Sequence, residues 1–300
     1  MPTPARALIL AVLASAVVSA GASTGADDRA EVVIRGVNVV DLRQGVVLPA
    51  RDIVIRGTRI ASVHPAGGTL PPAKTLIDGR GKFALPGLID AHVQLARFTR
   101  DTAASLLSDG VTAVRDLGTD PARIAEWRRA LARGQMYAPR IARACGALPA
   151  AVGAPVSDPR LRAPEPGCGR VGASEVSALA ALEREATRLP ADARGGAALF
   201  ARYPGLHDQL ERLVGAGFTP LAALRAVTIE TAQAQGLPDL GEVAVGMAAD
   251  VLITTGDPLA DIRNARAIDA VVFRGEALTR AHLNLLRTGS SGRARTTPSR

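Results

Sequence analysis

Side chains able to do chemistry are sparse in this 300-residue chain: four histidines (His64, His92, His207, His282), two lysines (Lys74, Lys82) and two cysteines (Cys145, Cys168). Carboxylates are more plentiful, and two of them, Asp90 and Asp116, stand where apolar runs end. Each is a candidate general acid or base. Each is also a residue type that accepts hydrogen bonds from loop amides. Arg115 offers a fixed charge to an acidic substrate, or else it is a solvated or ion-paired strand residue. His92 and Gln94 are two residues apart, so on a strand they share a face. His92 is then either a metal ligand or a leftover polar group at a strand end. His207 reads as a helix-start residue, and Asp250 and Asp257 as turn or strand-edge positions.

The elements that must position these residues fall into three parts. Residues 31–77 are strand-like, with a hairpin between 52 and 63 that turns near Gly57. Residues 241–278 look similar, with a strand at 251–254 and another at 268–273 that turns at Arg274-Gly275. Between them strands and helices alternate. A strand over 85–89 leads to a helix around 102–108, and a strand at 111–114 leads to a helix over 121–133. Leu206, Leu210, Leu213 and Val214 form one apolar helical face that stops at Gly217. Thr219 as N-cap and Pro220 at the first helical position open a further helix, which ends at Gly236. Residues 138–170 are rich in Pro, Gly and Ala, without a period, and read as loop.

Composition narrows the function classes. Hydrophobic residues are 47% and charged residues 21%, as in a globular chain. The +8 charge comes from scattered arginines and aromatics are only 3%, which argues against a nucleic-acid partner. Arg6 followed by the small-apolar run 7–18, with small-residue cleavage sites after Ala20 or Ala22, reads as a signal peptide over 1–22. The run is shorter than the ~20 residues of a membrane span. The expectation is an exported chain, periplasmic or secreted, with no membrane span after cleavage. Cys145 and Cys168 would meet an oxidising compartment, either paired or free.

Four stretches carry a family resemblance. Asp78-Gly-Arg-Gly-Lys-Phe-Ala-Leu-Pro-Gly-Leu-Ile-Asp-Ala-His-Val-Gln94 and Asp109-Gly-Val-Thr-Ala-Val-Arg-Asp-Leu-Gly118 resemble the first two barrel strands of the amidohydrolase superfamily. Residues 206–228 are similar to its closing helices, and 241–262 to its returning β segment. The nearest branch looks like the imidazolonepropionase-like and exported dipeptidase-like members.

The resemblance implies an α/β fold: a (β/α)8 TIM-barrel-like domain plus a composite β-sandwich-like domain built from both chain ends. It implies domains at 31–80 and 237–280 (composite β), a barrel at 83–236, and a disordered tail at 281–300. It also implies hydrolysis of carbon–nitrogen bonds in a small-molecule amide or dipeptide, with a divalent metal, typically zinc, as cofactor. The family's ligands are a His-x-His pair, a carboxylated lysine, two later histidines and an aspartate. Here the pair is His92 and Gln94, no lysine follows Lys82, and Asp192 is the nearest carboxylate before the closing helices. Residues 83–236 fall short of the ~200–250 residues of a full barrel, leaving room for about five ~30-residue units. The expectation is therefore a truncated barrel, His92 as the sole metal-ligand candidate, no assigned catalytic residue, and metal absent or weakly held. On this reading the chain is a pseudoenzyme, or a non-catalytic binding or scaffold protein. Open strand edges in an incomplete barrel would favour oligomers.

Overall fold

The computed structural model describes residues 29–93, 95–116, 119–142 and 205–288. The expectations for the signal peptide, Cys145, Cys168 and Asp192 lie outside the described residues.

β-Branched runs build the first sheet. Strand β1 (Ala30–Asp41) pairs antiparallel with β2 (Val46–Arg56), and β2 with β3 (Arg59–Pro65) around the Gly57 turn. Strands β4 (Ala73–Asp78) and β5 (Phe83–Pro86) both lie parallel to β1. From the far end of the chain, β9 (Val251–Thr254), β10 (Ile268–Phe273) and β11 (Glu276–Thr279) join antiparallel beyond β5. One eight-stranded sheet thus draws strands from both ends.

Successive residues of its central strands enter different cores. Val251 and Ile253 pack with Val32, Ile34, Val37, Ile53, Ile55 and Val272. Leu252 joins Leu85, Val271 and Phe273 in the larger core under the helices. A strand buried on both faces reads as an unbroken apolar run, which is why Val-Leu-Ile stands out in the sequence.

The second sheet is parallel. Among the described residues it holds β6 (Leu88–Val93), β7 (Val111–Asp116) and β8 (Arg140–Ile141), in that order. Between β6 and β7 runs α1 (Arg100–Ser108), opened by a Thr99–Thr102 capping box. Between β7 and β8 runs α2 (Pro121–Ala132), capped by Asp120 with Pro121 at its first position. Strand β8 falls within the stretch that sequence reads as loop, because two residues show no period. Gly87 separates the two sheets at a close approach: a Cβ there would sit 2.2 Å from Thr112 Oγ1.

The closing helices are α3 (Leu206–Gly215), α4 (Pro220–Ala226) and α5 (Ile229–Ala234). The apolar face of α3 is buried through Leu206, Leu210 and Leu213. The single helix expected from 219 to 236 is two helices. Its carbonyl at Val227 accepts from Ile89 N of β6 at 2.8 Å, and Thr228 takes a non-helical backbone (ψ −99°). A tertiary hydrogen bond has displaced a helical one.

The expected disordered tail over 281–300 also needs correction, because α6 (Arg280–Arg287) occupies its start. A capping box of Thr279 and His282 opens that helix, and Leu283 and Leu286 are buried in the core, with the helix against α1.

Candidate functional site

In parallel α/β sheets the chemistry sits at the carboxyl ends of the strands. Here that edge is formed by the ends of β6 and β7 and the turns that follow them. The turn after β6 is held from three sides. Asp116 Oδ1 accepts from Leu95 N at 2.7 Å, Thr119 Oγ1 accepts from Ala96 N at 2.7 Å, and Arg123 of α2 donates to Phe98 O at 2.6 Å. Thr119 completes the bracket by giving Asp116 its own N–H (3.0 Å) and hydroxyl (2.7 Å). Arg123 also lies over the Trp127 ring, 5.2 Å from its centroid.

Asp116 is fully buried, and both its oxygens are engaged by these donors. This carboxylate satisfies loop amides, one of the two roles read from its sequence position. Thr119, which buries beside it, was missed; its signal was the Asp-x-x-Thr spacing that lets a short side chain fold back on a turn. Asp90 lies partly buried on β6 and has a partner of its own. His92 is a β6 residue by backbone, but its side chain, like Gln94, lies outside the described residues.

Strand alternation separates Asp116 from its neighbour. Ala113 and Val114 pair in step with β8, while against β6 the register shifts between Val114 and Asp116; alternation along the strand Val111–Asp116 puts Ala113 and Arg115 on one face and Val114 and Asp116 on the other. Val114 belongs to the core that holds Ala103, Leu107, Ile124 and Trp127 of α1 and α2. Ala113 belongs to a small core with Ile89, Ala232, Leu240 and Ala248. Arg115 extends that second face toward the carboxyl end. It is only 7% exposed, its Nε is sealed without a partner, and it has no ion pair among the described residues. The expectation of a solvated strand residue is corrected, because the face is covered; among the described residues no carboxylate meets the charge.

The remaining histidines do not converge on this edge. His64 is on β3, with Nδ1 3.2 Å from Pro65 O. His282 caps α6. His207 is the second residue of α3, as read from sequence, but it is buried and donates through Nε2 to Asp109 O (2.8 Å), at the turn between α1 and β7. That turn leads into the amino end of β7, opposite the candidate edge. Burial pulls the imidazole below its ordinary pKa, with the Asp109 carbonyl pulling the other way, and Nδ1 has no partner among the described residues.

Asp250, expected at a turn or strand edge, stands immediately before β9 and is also a buried anchor between the sheets. It accepts from Arg140 of β8 through Nε (2.8 Å) and a terminal nitrogen (2.9 Å), and from Arg274 N (2.9 Å). Burial works against the Arg140 charge, yet the Asp250 carboxylate more than offsets it and holds its pKa above the ordinary value.

No cluster of three His, Cys, Asp or Glu able to hold a metal occurs among the described residues. The donor chemistry agrees with the geometry: Asp116 is spent on amides and turned to the helix face, and His207 is at the opposite end. The side chains of His92 and Gln94, on which the metal expectation rests, lie outside the described residues, and no described helix is long and apolar enough to cross a membrane.

The model of the Amidohydrolase family matches residues 203–278. An adenine deaminase of Rubrobacter xylanophilus is 35% identical over 99 residues. That match covers 33% of this chain but only 16% of the relative, which is a much longer protein. Among solved structures, molinate hydrolase superposes with a TM-score of 0.62 at 17% identity, over 91% of this chain and 99% of that one. A Xaa-Pro dipeptidase with bound methionine in its active site gives 0.59 at 16%, over 83% and 99%. At these identities the structures speak for the fold.

Proposed function

Because this chain belongs to the amidohydrolase superfamily, we propose that it descends from a hydrolase of carbon–nitrogen bonds and is itself impaired in that chemistry. The observation that carries this reading is Asp116, the carboxylate at the expected edge, which is saturated by Leu95 N, Thr119 N and Thr119 Oγ1 and turned toward the helix layer. The sequence points the same way, with Gln94 beside His92 and no lysine after Lys82. The family uses a divalent metal to supply an activated water at neutral pH.

The relatives acting on adenine and on dipeptides suggest the class of molecule the inherited site would accept, a small amide or dipeptide. The alternative is an exported, non-catalytic binding or scaffold protein, which the eight-stranded sheet with its own core could serve. Export rests on the apolar run 7–18, and amino-terminal sequencing of the mature chain checks it, expecting a start after Ala20 or Ala22. Light scattering checks self-association, part of the same reading.

The deciding experiment is divalent-metal content per chain on protein from a single gel-filtration peak, with dipeptide and cyclic-amide hydrolysis measured on the same sample. Substoichiometric metal lost on brief chelation, with no turnover, is expected. Near-stoichiometric zinc that survives chelation, with hydrolysis, overturns the reading.

A further inference from the structure

An arginine carries its charge at every accessible pH and presents a planar fork of donors matched to a carboxylate. Burying such a group without a counter-charge is expensive, and proteins pair nearly all of them. Arg115 is 7% exposed, yet among the described residues it has neither ion pair nor hydrogen bond, and its Nε is sealed. Among the described residues the other fully buried carboxylates are answered, Asp52 by Gly36 N, Asp116 by three donors and Asp250 by Arg140 and Arg274 N; the half-buried Arg51 and Glu230 also hold a sealed atom without a partner, which leaves Arg115 as the fully buried exception. The exception stands one residue from the carboxyl end of β7, on the face away from α1 and α2. That is where strand-end sites form in parallel sheets.

We propose that Arg115 is the anion-binding residue of a ligand site at the carboxyl end of β7, and that its ligand is a small molecule carrying a carboxylate. The site deepens the reading above, since it assumes that the inherited site still takes a small-molecule ligand. It requires no turnover. The side chain is held in readiness by the sheet, and the cost of its unanswered charge is recovered when an anion arrives. Functional sites commonly carry such locally destabilising groups.

The test uses the full chain and its Arg115→Met variant, melted at equal ionic strength in chloride, N-acetylglycine, N-acetylglycinamide or inorganic phosphate. In chloride the variant is expected to melt at or above the wild type, by about 2 °C or more, because an unanswered buried charge has been replaced by an apolar chain of similar length. N-acetylglycine raises the wild-type melting temperature and leaves the variant unmoved, and the uncharged amide moves neither. Arg115→Lys keeps the charge without the fork, and weakens the wild-type response to the acid about tenfold. A variant that melts well below the wild type shows a structural arginine and overturns the proposal. So does a wild type that responds equally to acid and amide, responds to phosphate alone, or responds to none of them. Hydrolysis by the wild type would overturn the impaired-enzyme reading and leave this one intact, because it is read on binding alone.

Discussion

Replacing Asp116 with alanine should destabilise the turn that closes the candidate edge. The substitution removes the acceptor for Leu95 N and Thr119 N, and for the Thr119 hydroxyl. The hydroxyl can rotate to another acceptor, but the two amides cannot. Leu95 is 2% exposed and Thr119 5%, so water gives little relief. A buried donor left unpaired costs about 1–3 kcal/mol, so the pair of amides predicts a loss of about 2–6 kcal/mol, with ~3 as the central expectation. Asp116→Asn keeps one acceptor oxygen and should lose roughly half as much. Urea titrations followed by circular dichroism, with an unchanged slope, would read both values. Amide exchange at Leu95 should accelerate in the alanine variant. A carboxylate kept for chemistry behaves differently, since its removal is commonly neutral or stabilising. An Asp116→Ala midpoint within ~0.5 kcal/mol of the wild type would refute the reasoning.

Three further outcomes follow from the structure. Asp250→Asn leaves Arg140 half-buried against a neutral partner, and should destabilise by about 2 kcal/mol in urea after allowance for its exposed portion. His207 has a folded pKa below the ordinary imidazole value of 6.5, so the unfolded chain binds the extra proton first. Its contribution to stability is complete above pH ~6.5 and is lost as pH falls toward the lowered folded value, at no more than ~1.4 kcal/mol per pH unit. A His207→Gln variant should flatten that part of a melting-temperature profile between pH 7 and 5, and an unchanged profile would show that His207 is not the source. Gly275 has φ +81°, and a Cβ there would lie 1.9 Å from Gly57 O, so Gly275→Ala should shift the hairpin and cost more than ~1 kcal/mol by thermal melt.

What the sequence showed and what it hid divide along physical lines. The strands at 251–254 and 111–114 were visible from their largely apolar runs, the second extending in the structure to Asp116. The starts of α2 and α4 were visible because Asp120-Pro121 and Thr219-Pro220 are local signals. The break between α4 and α5 was not, because Ile89 imposes it from far along the chain. Asp250 read as a turn or strand-edge residue but not as an anchor, because Arg140, which makes it one, is distant in sequence. Arg115 was legible as a charge but not as a buried one, since burial belongs to the face that the sheet and its cover create together. Asp116 was read with two roles open, and its hydrogen bonds to Leu95 N, Thr119 N and Thr119 Oγ1 show the one in which it satisfies loop amides.

The eight-stranded sheet also sets a timetable. β5 pairs with β9 from Phe83–Thr254 to Pro86–Val251, so its second edge stays open until the carboxyl-terminal strands have been synthesised. Pairings this distant raise contact order and slow the search for the native state. During that wait an apolar strand edge is available to wrong partners. A ribosome-stalled chain ending before Val251 should therefore engage chaperones or aggregate, and release of the last strands should be the event that ends its vulnerability.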